Sequence, residues 1–146
     1  MQIVMDAAAL NGFLAREFPQ VADFAVQAVG EAGAEVRLRV TEGHLRPGGT
    51  VSGPSIFALA DLAAYVAILS RIGPVALAVT TSANLDFLRK PSAGRDLIAR
   101  CRLLKLGRVL AVCDVLIFSE GAPEPVARAA LTYSIPPKSA DPSGVS

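Results

Sequence analysis

The chain has 146 residues, 52% of them hydrophobic and 18% charged, with a net charge of +1. That length encloses one good core and is too short for two ordinary ones, and the apolar content excludes intrinsic disorder. The near-neutral, scattered charge argues against nucleic acid as a partner, and so few charged residues favour burial of some surface between subunits.

In chain order, the first stretch, MQIVMDAAALNGFLAREF, lacks the basic segment, apolar core and cleavage site of a signal peptide, so a cytoplasmic location is expected. Asp6 caps an amphipathic helix in which Leu10, Phe13 and Leu14 recur at helical spacing and which ends before Pro19. DFAVQAVG then leads through a Gly-Glu-Ala-Gly turn into EVRLRV, where Val36, Leu38 and Val40 alternate with Glu35, Arg37 and Arg39, predicting a hairpin with one wet face. Residues 44–54, rich in Gly, Pro and Ser, form a loop that delivers the chain into IFALADLAAYVAILS. That run predicts one helix of about four to five turns, stopped by Gly73-Pro74. It is slightly short for a bilayer and carries Asp61 at its middle, so no membrane span is expected; apolar on every other side, it should be enclosed by the rest of the fold.

Four strand-like stretches follow, VALAVTTSANLDFL, RDLIARCRLLKL, RVLAVCDVLIFS and PVARAALTYSI, and their short connections predict antiparallel neighbours. Cys101 and Cys113 lie inside two of them and read as buried thiols of a reducing compartment. With the lone His44 they supply too few ligands for zinc, so no metal is expected. The order helix, two strands, long helix, four strands is an α+β arrangement in which a twisted sheet curls around the central helix. One domain over residues 1–136 and a flexible C-terminal tail over 137–146 are expected.

Asp61 is the informative residue, because a carboxylate in an apolar helix is costly unless partnered or solvated. Two readings are open: a catalytic acid, or an acid that only hydrogen-bonds at a polar loop or subunit boundary. Gly48-Gly49-Thr50-Val51-Ser52-Gly53 brings a flexible loop to the helix start, where free N–H groups and the positive dipole end suit a developing oxyanion; a helix start that simply needs glycine is the other reading. Gly53 and Asp61 are ~12 Å apart along one helix, so they cannot grip one carbonyl together. Two such helices paired antiparallel about a two-fold axis would bring Gly53 of one chain to Asp61 of the other.

The string RPGGTVSGPSIFALADLAAYVA resembles the motif that starts the central helix in hotdog-fold thioesterases of the phenylacetate-degradation (PaaI-like) branch of the 4-hydroxybenzoyl-CoA thioesterase superfamily. Ser52-Gly53-Pro54 stands where that family usually has His-Gly-Gly, and Asp61 falls on the family's catalytic acid. NLDFLRKP and LLKLGRVLAVCDV are similar to the family's third strand and its fourth-to-fifth strand turn, so the likeness covers residues 44–136.

The resemblance implies a hotdog fold, a long central helix wrapped by a curved antiparallel sheet of five to six strands. It implies an acyl-CoA thioesterase acting on a small or medium, aryl or short-chain, acyl group. The Gly53 amide would polarise the thioester carbonyl, with Ser52 and Pro54 beside it, and Asp61 of the facing subunit would attack it or activate water. Arg46 corresponds to the side chain that helps hold the carbonyl or the water. An arginine there could also bind an acidic acyl group. Thr80 corresponds to a hydroxyl on the strand after the helix, with Thr81 as the near alternative. Arg89, Lys90, Lys105 and Arg108 are the candidates for the phosphates of coenzyme A, although each also fits a solvated strand end. Tyr65, one turn beyond Asp61, reads as an acyl-pocket wall or as a packed core aromatic. No cofactor is implied beyond coenzyme A as part of the substrate. An obligatory homodimer, with dimers pairing into a tetramer, is expected. His44 lies before Arg46 rather than at the family's histidine position and reads as a loop residue, and the absence of a histidine on the helix argues against a hydratase of the same fold. An acyl-CoA-binding hotdog protein without turnover is the alternative.

Overall fold

A computed structural model describes residues 2–137. Helix α1 spans Ala7–Glu17, with the Asp6 side chain accepting the Ala9 N–H at 2.9 Å and Leu10, Phe13 and Leu14 buried, as their spacing predicts. The hairpin follows as β1 (Phe24–Val29) and β2 (Gly33–Leu38). Helix α2 covers Gly53–Ile72, and β3 (Val79–Phe87), β4 (Leu97–Leu106), β5 (Leu110–Ser119) and β6 (Pro125–Ser134) complete the chain. Of the tail expected at 137–146, residues 138–146 lie outside the described residues.

Alanine and leucine, the strongest helix formers, dominate α2. Ser52 caps its start, Pro54 sits in its first turn, and Gly73 ends it at φ 96°, a left-handed backbone that a side chain would resist. The inward faces of the strands close on α2: Leu59, Val66, Ile68 and Leu69 are fully buried against positions such as Val36, Leu97, Val115 and Leu131. Each large side chain so buried contributes about 1.5–3 kcal/mol relative to exposure.

The six strands form one antiparallel sheet in the order β1-β2-β4-β5-β6-β3, curled around α2 as expected. The rule that short connections join neighbours holds for β1–β2, β4–β5 and β5–β6 and fails for β3 and β4. β3 pairs with β6 at the far edge, Thr80 opposite Tyr133 and Phe87 opposite Ala127. Residues 88–96 are long enough to cross the end of the β5–β6 hairpin, where Leu88 N–H donates to the Val126 carbonyl and Ser92 N–H to the buried Ser119 hydroxyl.

A second departure concerns α2. Residues 62–71 are buried as expected, but Pro54, Phe57 and Ala58 are exposed on the same stripe as the half-buried Asp61. The first half of the helix is therefore covered on one side only.

The two sheet edges also differ. Asn11 of α1 pairs with β1 like a strand residue, donating to the Val26 carbonyl at 3.0 Å and accepting the Val26 N–H at 2.8 Å, so α1 closes that edge. The β3 edge has no such cover in the described chain, and Val79 and Phe87 stand 56% and 58% exposed along it.

Near the end of α2, buried Arg71 holds the β1–β2 turn, donating from Nη2 to the Gly30 carbonyl at 2.5 Å and to the Glu31 carbonyl at 2.6 Å. Charge-assisted bonds of this kind are worth more than neutral ones, so Arg71→Ala is expected to destabilise the fold by about 2–3 kcal/mol in urea denaturation. A change below about 0.5 kcal/mol would show that the turn does not depend on this clamp.

Candidate active site

Asp61 is partnered within its own chain. Its Oδ1 accepts the Thr80 hydroxyl at 2.5 Å and the Tyr133 hydroxyl at 2.7 Å, and Tyr133 also lies 3.0 Å from the Asp61 carbonyl oxygen. The register explains the meeting: Thr80 and Tyr133 are opposite one another on β3 and β6, and both face α2. Two donors on one oxygen fix the carboxylate plane, while among the described residues no hydrogen bond reaches Oδ2. Burial, and next the Asp61 charge, push the Tyr133 phenol well above its ordinary pKa, so it stays a hydrogen-bond donor.

The carboxylate opens on a cavity of about 420 Å³. Leu62 and Ala58 of α2, Ala76, Ala78 and Val79 before and on β3, and Phe18 and Val21 after α1 give it mostly apolar walls. Tyr65 lines it too, one turn beyond Asp61. Its hydroxyl donates to the Ala76 carbonyl at 3.0 Å, and its ring packs against Tyr133 at 6.2 Å and Phe18 at 6.1 Å. Tyr65 is thus a packed core aromatic that also lines this cavity.

Gly53 is the first residue of α2, and among the described residues nothing accepts its N–H. Any Cβ there would sit 3.4 Å from the exposed Phe87 ring, which places the helix start beside the far end of β3 from Thr80. Ser52 caps the helix, accepting from the Ser55 N–H at 3.4 Å and donating to the Ser55 hydroxyl at 3.1 Å. Exposed Pro54 adds no N–H of its own.

Within one protomer the structure brings Asp61, Thr80 and Tyr65 together and keeps the other predicted residues outside their cavity. Thr81 falls at a bulge and donates to the Thr132 carbonyl on the exposed side, so Thr80 is the hydroxyl that meets the acid. Arg46 is exposed in the loop before α2, its N–H bonded to the Thr50 carbonyl. Arg89 donates to the Pro125 carbonyl and, with Lys90, follows β3 at the Gly53 end. Lys105 and Arg108 flank the β4–β5 turn, at the sheet end where Tyr133 pairs with Ala111 and Thr80.

Tyr133 was not singled out from sequence. Its signal was the inward parity it shares with Leu131, but parity does not say which helix residue a side chain meets.

His44 has a local task, its Nδ1 accepting the Thr41 N–H at 2.9 Å and its Nε2 lying 3.3 Å from Asp23. Cys101 and Cys113 are buried and free, and the contact with Cys113 together with burial pushes the Cys101 thiol well up, against a nucleophile. A larger groove of about 840 Å³ runs over the outer face of the sheet. Four of its six charged groups are occupied with each other, Arg100 with Glu35 at 3.2 Å and Arg128 with Asp86 at 2.8 Å, and among the described residues none of its carboxylates accepts a side-chain hydroxyl.

Residues 48–126 match the family described as the thioesterase superfamily. A crystal structure of a protein from Silicibacter sp. TM1040, provisionally described as a thioesterase, is 56% identical, with a TM-score of 0.88 over 94% of this chain and 96% of that one. The phenylacetic acid degradation protein PaaI of Thermus thermophilus, solved as a single-site mutant, is 31% identical with a TM-score of 0.69, covering 82% of this chain and 98% of that one. A Thermoplasma acidophilum protein provisionally named an esterase is 27% identical over 107 residues, 73% of this chain and 76% of that protein. With the helix-in-sheet architecture and the matched span both in place, the chain belongs to the thioesterase superfamily and is a thioester hydrolase of the PaaI-like hotdog branch.

Proposed function

We propose that the protein hydrolyses acyl-CoA thioesters with a small or medium acyl group, aryl or short-chain, to the free acid and coenzyme A. The observation that carries this reading is the Asp61 carboxylate, fixed through Oδ1 by Thr80 and Tyr133 and free at Oδ2 beside an apolar cavity of about 420 Å³. That volume lies toward the small end of ligand pockets and suits an acyl group rather than a whole thioester. Oδ2 either attacks the thioester carbonyl or takes a proton from the water that does. Coenzyme A enters as part of the substrate, and the carboxylate chemistry asks for no further cofactor.

The oxyanion donor is the Gly53 N–H of a facing subunit, since ~12 Å of helix separates Gly53 from Asp61 in one chain. The open apolar β3 edge and the exposed stripe through Pro54, Phe57 and Ala58 support a dimer at this place, because a bare edge strand and an uncovered helix face both seek a partner. Arg46, Arg89 and Lys90 travel with the Gly53 end, whereas Lys105 and Arg108 stay at the Asp61 end. In the dimer both groups flank one site and serve the phosphates of coenzyme A. Exposed Leu104, Leu110 and Leu116 offer a second surface through which dimers pair into a tetramer.

Free-thiol release across aryl, short and long acyl-CoAs tests the reading, with turnover expected for the first two. Saturable binding with no turnover of any acyl group would leave a binding protein instead. Removing one of the two donors on Oδ1 by Tyr133→Phe is expected to lower kcat about tenfold and leave KM unchanged. An unchanged kcat would show that Thr80 alone positions the acid.

A further inference from the structure

We propose that Glu17 is a specificity-determining residue of the acyl cavity, turning away acyl groups that end in a carboxylate; the inference rests on the acyl-CoA reading above. Glu17 is the last residue of α1 and lies in the wall of the cavity that holds Asp61. Its place along the cavity follows from its neighbours. Tyr65 is four residues beyond Asp61 on α2, ~6 Å along the axis. Its ring meets the edge of Phe18, the residue after Glu17. Glu17 and Phe18, both partly open to solvent, thus line the rim of the cavity about one helical turn past the reacting carboxylate, where the far end of a medium acyl chain arrives.

Within one protomer the charge of this wall is uncompensated. Among the described residues two carboxylates and no cation line the cavity, and no ion pair reaches Glu17. The adjacent Arg16 turns back along α1, its Nη1 beside Gly12. Burial, and next the Glu17 charge, raise the Tyr65 phenol above its ordinary pKa, so the Glu17 charge is felt inside the wall. A terminal methyl or ring finds Leu62, Phe18 and Tyr65 there, but a terminal carboxylate finds a like charge. Arg46, which from sequence could have held an acidic acyl group, sits in a loop outside this cavity in its own protomer and in the proposed dimer joins the groups that serve the phosphates, so the seat's own charge runs the other way.

Calorimetry with two non-hydrolysable thioethers of coenzyme A, S-hexyl and S-(5-carboxypentyl), tests this without turnover. At low salt the native protein is expected to bind the hexyl compound about tenfold more tightly than the carboxypentyl one, and added salt should shrink the ratio. Glu17→Gln should bring the ratio within about threefold, chiefly by tightening the carboxypentyl compound, with the kcat/KM ratio for hexanoyl-CoA over adipyl-CoA falling in parallel. The same ratio in both proteins would overturn the role of Glu17 while leaving the acyl-CoA reading intact. If neither thioether binds the native protein, the acyl-CoA reading fails and the role of Glu17 fails with it.

Discussion

Replacing Asp61 with asparagine is expected to lower kcat for acyl-CoA hydrolysis by about 10³-fold or more, with KM and the fold retained. The amide is nearly isosteric, and its oxygen still accepts the Thr80 and Tyr133 hydroxyls that now bond Oδ1, so α2 and β3 keep their tie. What disappears is the free oxygen. An amide nitrogen at the Oδ2 position neither takes a proton from water nor attacks a carbonyl, whichever of these the carboxylate does. A 10³-fold loss corresponds to about 4 kcal/mol of transition-state stabilisation, more than a misplaced hydrogen bond supplies. The measurement is thiol release at saturating substrate, with thermal unfolding of both proteins as the control. Turnover within a few-fold of the native enzyme would remove Asp61 from the chemistry and leave its two hydroxyl donors as a packing detail.

The local signals in the sequence were faithful because they depend on nearby residues. Asp6, Pro19, Gly73 and the 2-residue alternation each act within a turn or a strand, and all the predicted helices and strands occur close to where they were placed. Asp61 stood out for the same reason, a charge in an apolar helix. Pairing across the sheet was less legible. A connection as long as 88–96 permits β3 to lie beside β4 or to cross to β6, and the choice is made by how the whole sheet curls, which no short window contains. Tyr133 was missed on the same account, since it reaches Asp61 from 72 residues away. The exposed stripe of α2 was hidden by composition itself. Phe57 and Ala58 are as apolar as core residues, and an apolar face awaiting a second subunit reads like one already buried. Glu17 lies at the end of an amphipathic helix where any polar residue is unremarkable, and only the fold of α1 against Tyr65 gives it a place in the site.

Subunit complementation should restore activity to a mixture of two inactive variants. Gly53→Pro removes the N–H assigned to the oxyanion, and because Pro54 follows and disfavours a helical residue with a Cβ before it, thermal unfolding of the variant is measured beside its activity. Proline is at home in the first helical position, the preceding Ser52 is already extended at ψ 155°, and the nearest obstacle is the tip of the Phe87 side chain. Alone it should lose about 10²- to 10³-fold in kcat, as expected when one oxyanion donor is lost. In a two-fold dimer each site takes Asp61 from one chain and Gly53 from the other. A heterodimer of Asp61→Asn with Gly53→Pro therefore contains one intact site and one doubly defective site. Coexpressed at equal levels with random pairing, half the dimers are mixed, and about a quarter of native activity per chain is expected. If both groups acted within one protomer, every site in the mixture would carry a defect and activity would stay at the level of the separate variants. The outcome thus depends on where the second half of the site comes from, and the bare β3 edge beside an uncovered helix face is the place from which the structure can receive it.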